Sequence, residues 1–198
     1  MTTTEKDKYI EGSERKNYFI FAGRIDEIKG IKKLLVAWKL LFEIDENIPQ
    51  LFICGTGPEE QWCKDFIKSN NLFSKVKLMG FMDNQKVVEL ISESLAIILP
   101  TQWYEGFPMS IVEAYGYGTP VLGSSIGNVG SLVIDGVTGY TFNHDSEKAI
   151  VSTVQKFLKA YDNEVDLYKN TVKNYNKRYT EDKNYRILSE IYKKCRQY

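Results

Sequence analysis

An α/β fold, built as a parallel doubly wound sheet with helices on both faces, is what this chain of 198 residues predicts. Three observations predict it. Short continuous apolar runs, the pattern of strands buried on both faces, alternate with longer stretches of helical periodicity. Most of those runs end in glycine or proline, which punctuate strand ends. Their spacing is that of βαβ units rather than of hairpins.

Taken in order, Tyr18-Phe19-Ile20-Phe21-Ala22 is the first strand, closed by Gly23. From Ile31 to Ile44, the residues Ile31, Leu34, Leu35, Trp38, Leu41 and Phe42 recur at helical spacing with lysines and a glutamate between them, giving an amphipathic helix. Leu51 to Cys54 is the second strand, ended by Gly55-Thr56-Gly57-Pro58, and the proline suits the first turn of a helix over Glu59 to Asn70. Val76 to Met79 forms the third strand, and Asp83 or Asn84 can cap a helix running to about Glu93. Leu95 to Pro100 is the fourth, followed by a helix holding Ile111 to Tyr117 that stops at Gly116 or Gly118. Pro120 to Gly123 is the fifth, and one more short strand lies within Gly136 to Phe142. From Glu147 to the end the chain reads as helical throughout.

This length suits one domain, burying roughly 70% of its unfolded surface. It is placed at residues 18–198, with 147–198 as a helical C-terminal part and 1–17 as a polar leader or linker stub. Lys+Arg and Asp+Glu are 26 each, so global charge gives no reason to expect nucleic acid. From Lys148 onward, however, twelve basic residues face six acidic ones. That is either a solvated helical surface or a face for an anionic membrane or a partner. Three cysteines without CxxC or Cys/His spacing make neither a disulfide framework nor a zinc site. No segment approaches the ~20 apolar residues of a membrane span, so the expected location is cytoplasmic.

Ligands of such sheets bind at the carboxyl ends of the strands, which here carry Gly23-Arg24, Gly55-Thr56-Gly57, Gly80-Phe81 and Glu105-Gly106. There is no GxGxxG after the first strand and no GxxxxGK[ST], which removes support for dinucleotide and P-loop sites. Arg24 offers a planar fork and Lys29 a mobile point charge in one loop, a combination suited to a diphosphate. The segment Gly106-Phe107-Pro108-Met109-Ser110-Ile111 turns from strand to helix. Its residues from Pro108 to Ile111 lie where the first N–H groups of a helix are free to meet an anion. Glu105 and Glu113 bracket this turn, and carboxylates accept hydrogen bonds from the vicinal hydroxyls of sugar and ribose. Trp103 and Tyr104 either border the pocket or complete the core. No Asp-x-Asp is present to hold a metal.

Together these residues resemble the C-terminal, donor-binding domain of group 1 (family 4-like) retaining glycosyltransferases of the GT-B fold. The matching pieces are Gly23-Arg24 with Lys29-Gly30, Gly55-x-Gly57-Pro58, Gly80-Phe81, Pro100, and Glu105-Gly106-Phe107-Pro108 with Glu113-Ala114. They continue in Gly118-Thr119-Pro120-Val121 and Asp135-Gly136-x-x-Gly139. The resemblance spans about residues 18 to 143 in family order. It implies a Rossmann-like domain, one half of a GT-B fold, that binds a UDP-, GDP- or ADP-linked sugar without a metal or other cofactor. The N-terminal half, which would take a saccharide or lipid-linked acceptor, is expected to be absent, leaving the isolated domain inactive.

By the same resemblance Arg24 and Lys29 hold the diphosphate and stabilise the leaving nucleotide, and Glu105 sits beside the donor sugar. Glu113 takes the ribose, Phe81-Met82 border the base, and Gly23 with the amides of Gly106 to Ile111 complete the site. Polysaccharide synthesis at the inner membrane face is the implied setting. A non-catalytic nucleotide-sugar sensor or regulatory module is the alternative. Ser131 stands where the family commonly has a glutamate, which puts one polar contact in doubt. His144, the one histidine, is expected to be an ordinary surface residue. The helix around Glu181 to Cys195 would reach towards the missing half, leaving Tyr185, Leu188 and Ile191 exposed.

Overall fold

The computed structural model describes residues 12–162 and 166–195. Six strands, β1 (Tyr18–Ala22), β2 (Gln50–Cys54), β3 (Val76–Gly80), β4 (Ala96–Leu99), β5 (Val121–Ser124) and β6 (Gly139–Phe142), form one sheet in the order β3-β2-β1-β4-β5-β6. All neighbouring pairs are parallel. The helices between them are α1 (Ile31–Ile44), α2 (Glu60–Ser69), α3 (Asn84–Glu93), α4 (Met109–Gly116) and α5 (Gly127–Leu132). Three more follow the sheet, α6 (Glu147–Asp162), α7 (Leu167–Arg178) and α8 (Glu181–Cys195).

Alternation of side chains along each strand produces the two-layered covering. Phe19 and Phe21 of β1 join Leu51, Ile53, Ile98 and Leu122 in a core shared with α1, α2 and α6, whereas Tyr18 and Ile20 join Ile97, Leu99 and Val121 in a second core beneath α3, α4 and α5. A strand buried on both faces needs apolar residues at every position, so its alternation is invisible in the sequence and explicit in the fold. On the first face Trp38 is fully buried, lies edge-on to Phe19 at 5.4 Å and donates its indole N–H to the Pro49 carbonyl at 3.3 Å. Phe157 of α6 meets the same Phe19 ring at 5.5 Å.

One feature agrees with expectation and one departs from it. The helical C-terminal part is three helices among the described residues, and α7 closes at Tyr179, whose amide bonds to the Tyr175 carbonyl, before the last helix begins at Glu181 as expected. The short helix α5 was not anticipated, because Gly127 and Gly130 disfavour a helix interior.

Of the polar leader, residues 1–11 lie outside the described residues, and the remainder packs on the domain. The buried guanidinium of Arg15 donates to the Ser94 carbonyl (3.1 Å), the Thr119 hydroxyl (2.6 Å) and the Tyr117 carbonyl (2.9 Å), and it lies 4.6 Å from the Tyr168 ring centre. Tyr185, Leu188 and Ile191 on α8 are exposed as expected, at 74%, 44% and 50%, and no residue of that helix is buried. No described helix is long and apolar enough to cross a membrane.

Candidate donor-binding site

The strand order changes direction between β1 and β4, and at that point the loops following the two strands separate and leave a crevice. The β1 loop makes a short 3-10 turn over Glu27–Lys29 that ends on Gly30 with φ +74°. A β-carbon at Gly30 would lie 1.8 Å from the Pro100 carbonyl oxygen, so only glycine lets the β1 loop sit against the β4 loop this closely. The Gln102 amide then donates to the Ile28 carbonyl at 2.8 Å, and the Thr101 hydroxyl reaches the same oxygen at 3.3 Å.

This contact brings together residues 76 apart in sequence: Lys29 Nζ lies 2.5 Å from Glu105 Oε1, with side chains 31% and 23% exposed. Two clefts open on either side of the end of β1. One, of about 310 Å³, is lined by Gly23, Lys29, Glu105, Phe107, Pro108, Met109 and Ser110 among others. The other, of about 320 Å³, is lined by Gly23, Arg24, Cys54, Gly55, Thr56, Phe81, Met82 and Val87. They share Ala22 and Gly23, so an elongated ligand can cross from one to the other over a glycine. Burial pushes the Cys54 thiol at the floor of the second cleft up to about 11, which leaves it protonated and unreactive.

Most of the residues expected from sequence are therefore gathered here. Gly23, Arg24, Lys29, Phe81, Met82, Glu105, Phe107, Pro108, Met109 and Ser110 all line one cleft or the other, and Gly106 lies in the loop between Glu105 and Phe107. The amides of Met109 and Ser110 open α4, where a helix offers N–H groups with no internal partner. Ile111 is placed differently. Its side chain is fully buried in the second core and its N–H donates to the Pro108 carbonyl at 3.0 Å, so the free helix start is one residue shorter than expected. Glu113, half-buried on α4, lines neither cleft.

Trp103 and Tyr104 do not complete the core: they are 66% and 72% exposed beside the β4 loop. Ser131 folds back onto its own helix, its hydroxyl donating to the Gly127 carbonyl at 3.0 Å. His144 is partly exposed, with Nε2 3.3 Å from Asp145.

Two side chains at the site were not singled out from the sequence. Asp26 is 5% exposed and takes bonds from both the Arg24 side chain and the Lys29 backbone. Asn128, on α5, donates its amide to the carbonyls of Glu105 (3.1 Å) and of Gly106, holding the β4 loop from outside. An acidic residue between two cations was the one available signal for Asp26. Nothing in the order of residues points to Asn128.

A parallel sheet in this order, with two cations and a helix start converging on its switch point, defines a Rossmann-like domain with an anion-accepting edge. A model of the family described as glycosyl transferases group 1 matches residues 3–195, and the chain belongs to that family. Glycogen synthase of Mycobacterium tuberculosis is similar, 29% identical over 139 residues that make up 70% of this chain and 33% of that protein. The chain thus spans about a third of the length of the curated relatives it matches.

Among solved structures, Anabaena HepE in complex with UDP superposes with a TM-score of 0.76 at 18% identity, covering 92% of this chain and 50% of that one. The pneumococcal O-GlcNAc transferase GtfA in complex with UDP and GlcNAc gives 0.75 at 19%, covering 94% and 38%. Both share the fold.

Proposed function

We propose that this chain is the donor-binding domain of a retaining glycosyltransferase, which moves a sugar from a nucleotide-diphosphate sugar to a saccharide or lipid-linked acceptor held by a further domain. The observation that carries the reading is the convergence of Arg24, Lys29 and the first amides of α4 around two clefts that meet at Gly23. The base would lie in the cleft of Phe81 and Met82, and the diphosphate would cross at Gly23. The sugar would then enter the cleft of Glu105 and Phe107.

In that pose Arg24 and Lys29 face the charge that develops on the departing nucleotide, the electrostatic task that fixed cations perform best in a partly dehydrated site. Glu105 would accept bonds from the donor sugar, and Glu113 would reach the ribose from the flank of α4. No metal is needed in this arrangement. On its own the domain would bind a nucleotide diphosphate and turn nothing over, since an open cleft excludes little water and positions no acceptor. The basic residues after Lys148 would suit work at the anionic inner face of a membrane.

Titration with UDP, GDP and ADP tests the reading. Amide signals at Arg24, Lys29 and Gly106 to Ser110 are expected to shift with at least one of the three, and Arg24→Ala combined with Lys29→Ala to abolish the shift. Absence of a response to all three would overturn the assignment.

A further inference from the structure

Each cation of the site has a carboxylate partner, Arg24 with Asp26 and Lys29 with Glu105, yet the two carboxylates are placed differently. Glu105 stands in the cleft itself. Asp26 lines neither cleft, its side chain is 6% exposed, and it lies beneath the loop. Its Oδ1 accepts the Lys29 backbone N–H at 2.9 Å, the capping bond of the 3-10 turn, and its Oδ2 accepts Nε of Arg24 at 2.5 Å.

Taking Nε leaves Nη1 and Nη2 of Arg24 without a partner among the described residues, on a side chain 65% exposed. Those two nitrogens form the end of the guanidinium fork, the part that grips two oxygens of a phosphate at once. The other oxygen of the same carboxylate fixes the backbone from which Lys29 extends towards Glu105.

We propose that Asp26 is a positioning residue of the donor site, one buried carboxylate that aims Arg24 through Nε and Lys29 through its backbone so that both meet the diphosphate together. This rests on the donor-site reading above. It also makes a prediction opposite in sign to simple electrostatics. Removing a negative charge beside two cations ordinarily tightens anion binding. Removing a brace loosens it, because the fork and the ammonium must then be ordered at the expense of binding.

The test uses the whole chain and three ligands, UDP, inorganic pyrophosphate and UMP, with Asp26→Asn as the main variant. Asparagine caps helical turns about as well as aspartate, so the turn is retained while the charged bond to Arg24 Nε is lost. Asp26→Asn is expected to weaken UDP and pyrophosphate five- to tenfold and UMP less. Glu105→Gln, which removes an equal charge but no brace, is expected to tighten them.

Equal or tighter binding by Asp26→Asn, with the unsubstituted chain binding normally, overturns the inference alone. Failure of the unsubstituted chain to bind pyrophosphate and every one of UDP, GDP and ADP overturns the donor-site reading and the inference with it. A second measurement does not depend on how the variant folds: in the unsubstituted chain the Arg24 Nε–H proton is expected to exchange slowly with water. A freely exchanging proton overturns the inference as well.

Discussion

Glu105→Gln should make the site bind UDP more tightly, although Glu105 is itself assigned to the site. Glu105 Oε1 lies 2.5 Å from Lys29 Nζ, and in the proposed pose a diphosphate oxygen would have to displace it before Lys29 could contribute. Exposed ion pairs are worth about 0.2–1 kcal/mol and hydrogen bonds to charged groups about 1.5–3 kcal/mol. With side chains 31% and 23% exposed, this pair falls between the two classes, at about 1–1.5 kcal/mol. Glutamine keeps an oxygen for Lys29 and the same side-chain length, so the loop should hold its shape while most of the competing charge disappears.

The gain in UDP affinity should then be about five- to tenfold, read by isothermal titration. It should shrink as salt rises and screens the partly exposed pair. The gain should also be absent with the intact nucleotide sugar, because that ligand loses the carboxylate it would have bonded. Unchanged or weaker UDP binding would refute the idea that phosphate and Glu105 compete for Lys29.

Two further outcomes follow from burial and from backbone geometry. Cys54 and Cys63 are buried and their thiols are pushed up to about 11, whereas Cys195 is exposed, so a thiol reagent should modify one cysteine in the native chain and three after unfolding. Because those folded-state values lie above the ordinary 9.0, the thiols' contribution to stability is full below about pH 9 and is lost as pH rises through 11. Thermal unfolding should therefore stay level to about pH 8.5 and fall beyond it, and a melting temperature flat to pH 11 would contradict this.

Gly30→Ala places a β-carbon 1.8 Å from the Pro100 oxygen at a φ of +74°. It should cost at least about 2 kcal/mol of stability and weaken UDP binding more than tenfold. Native values in both thermal unfolding and UDP titration would show that the two loops need not touch.

The strands were legible because burial on both faces demands uninterrupted apolar runs, and Leu95 to Pro100 announces itself in this way. The order of the strands was not legible, since β1 lies between β2 and β4 through contacts that no local pattern records. The last helix was legible from Glu181 to Cys195, where α8 lies, whereas the boundary between α6 and α7 was not read from the sequence. Arg24, Lys29 and Glu105 could be picked out because cations and glutamates beside strand-ending glycines suit phosphate and sugar. The pairing of Lys29 with Glu105 could not, because it depends on Gly30 allowing two distant loops to touch. Asp26 illustrates the same limit at short range: three of the loop's four charged residues make the arrangement, and only the fold shows which acid is buried under it.

The way these charges are paired also bears on which ligand the site can select. A crevice with two free cations would attract any anion that reached it, chloride and free phosphate included. Under the proposed reading Lys29 would be released only to a ligand that replaces Glu105 in one cleft, while Arg24 keeps its open fork beside the other. A single phosphate would satisfy one of these conditions at a time. A diphosphate lying across Gly23 would satisfy both, and a sugar beyond it would offer hydroxyls to the carboxylate just displaced. Discrimination of this kind comes from what an incomplete ligand leaves unpaired, not from the number of contacts a complete one makes. It requires that Arg24 and Lys29 keep their relative placement while Glu105 exchanges partners. Of the carboxylates paired with these cations, Asp26 is the one buried deeply enough to hold that placement fixed.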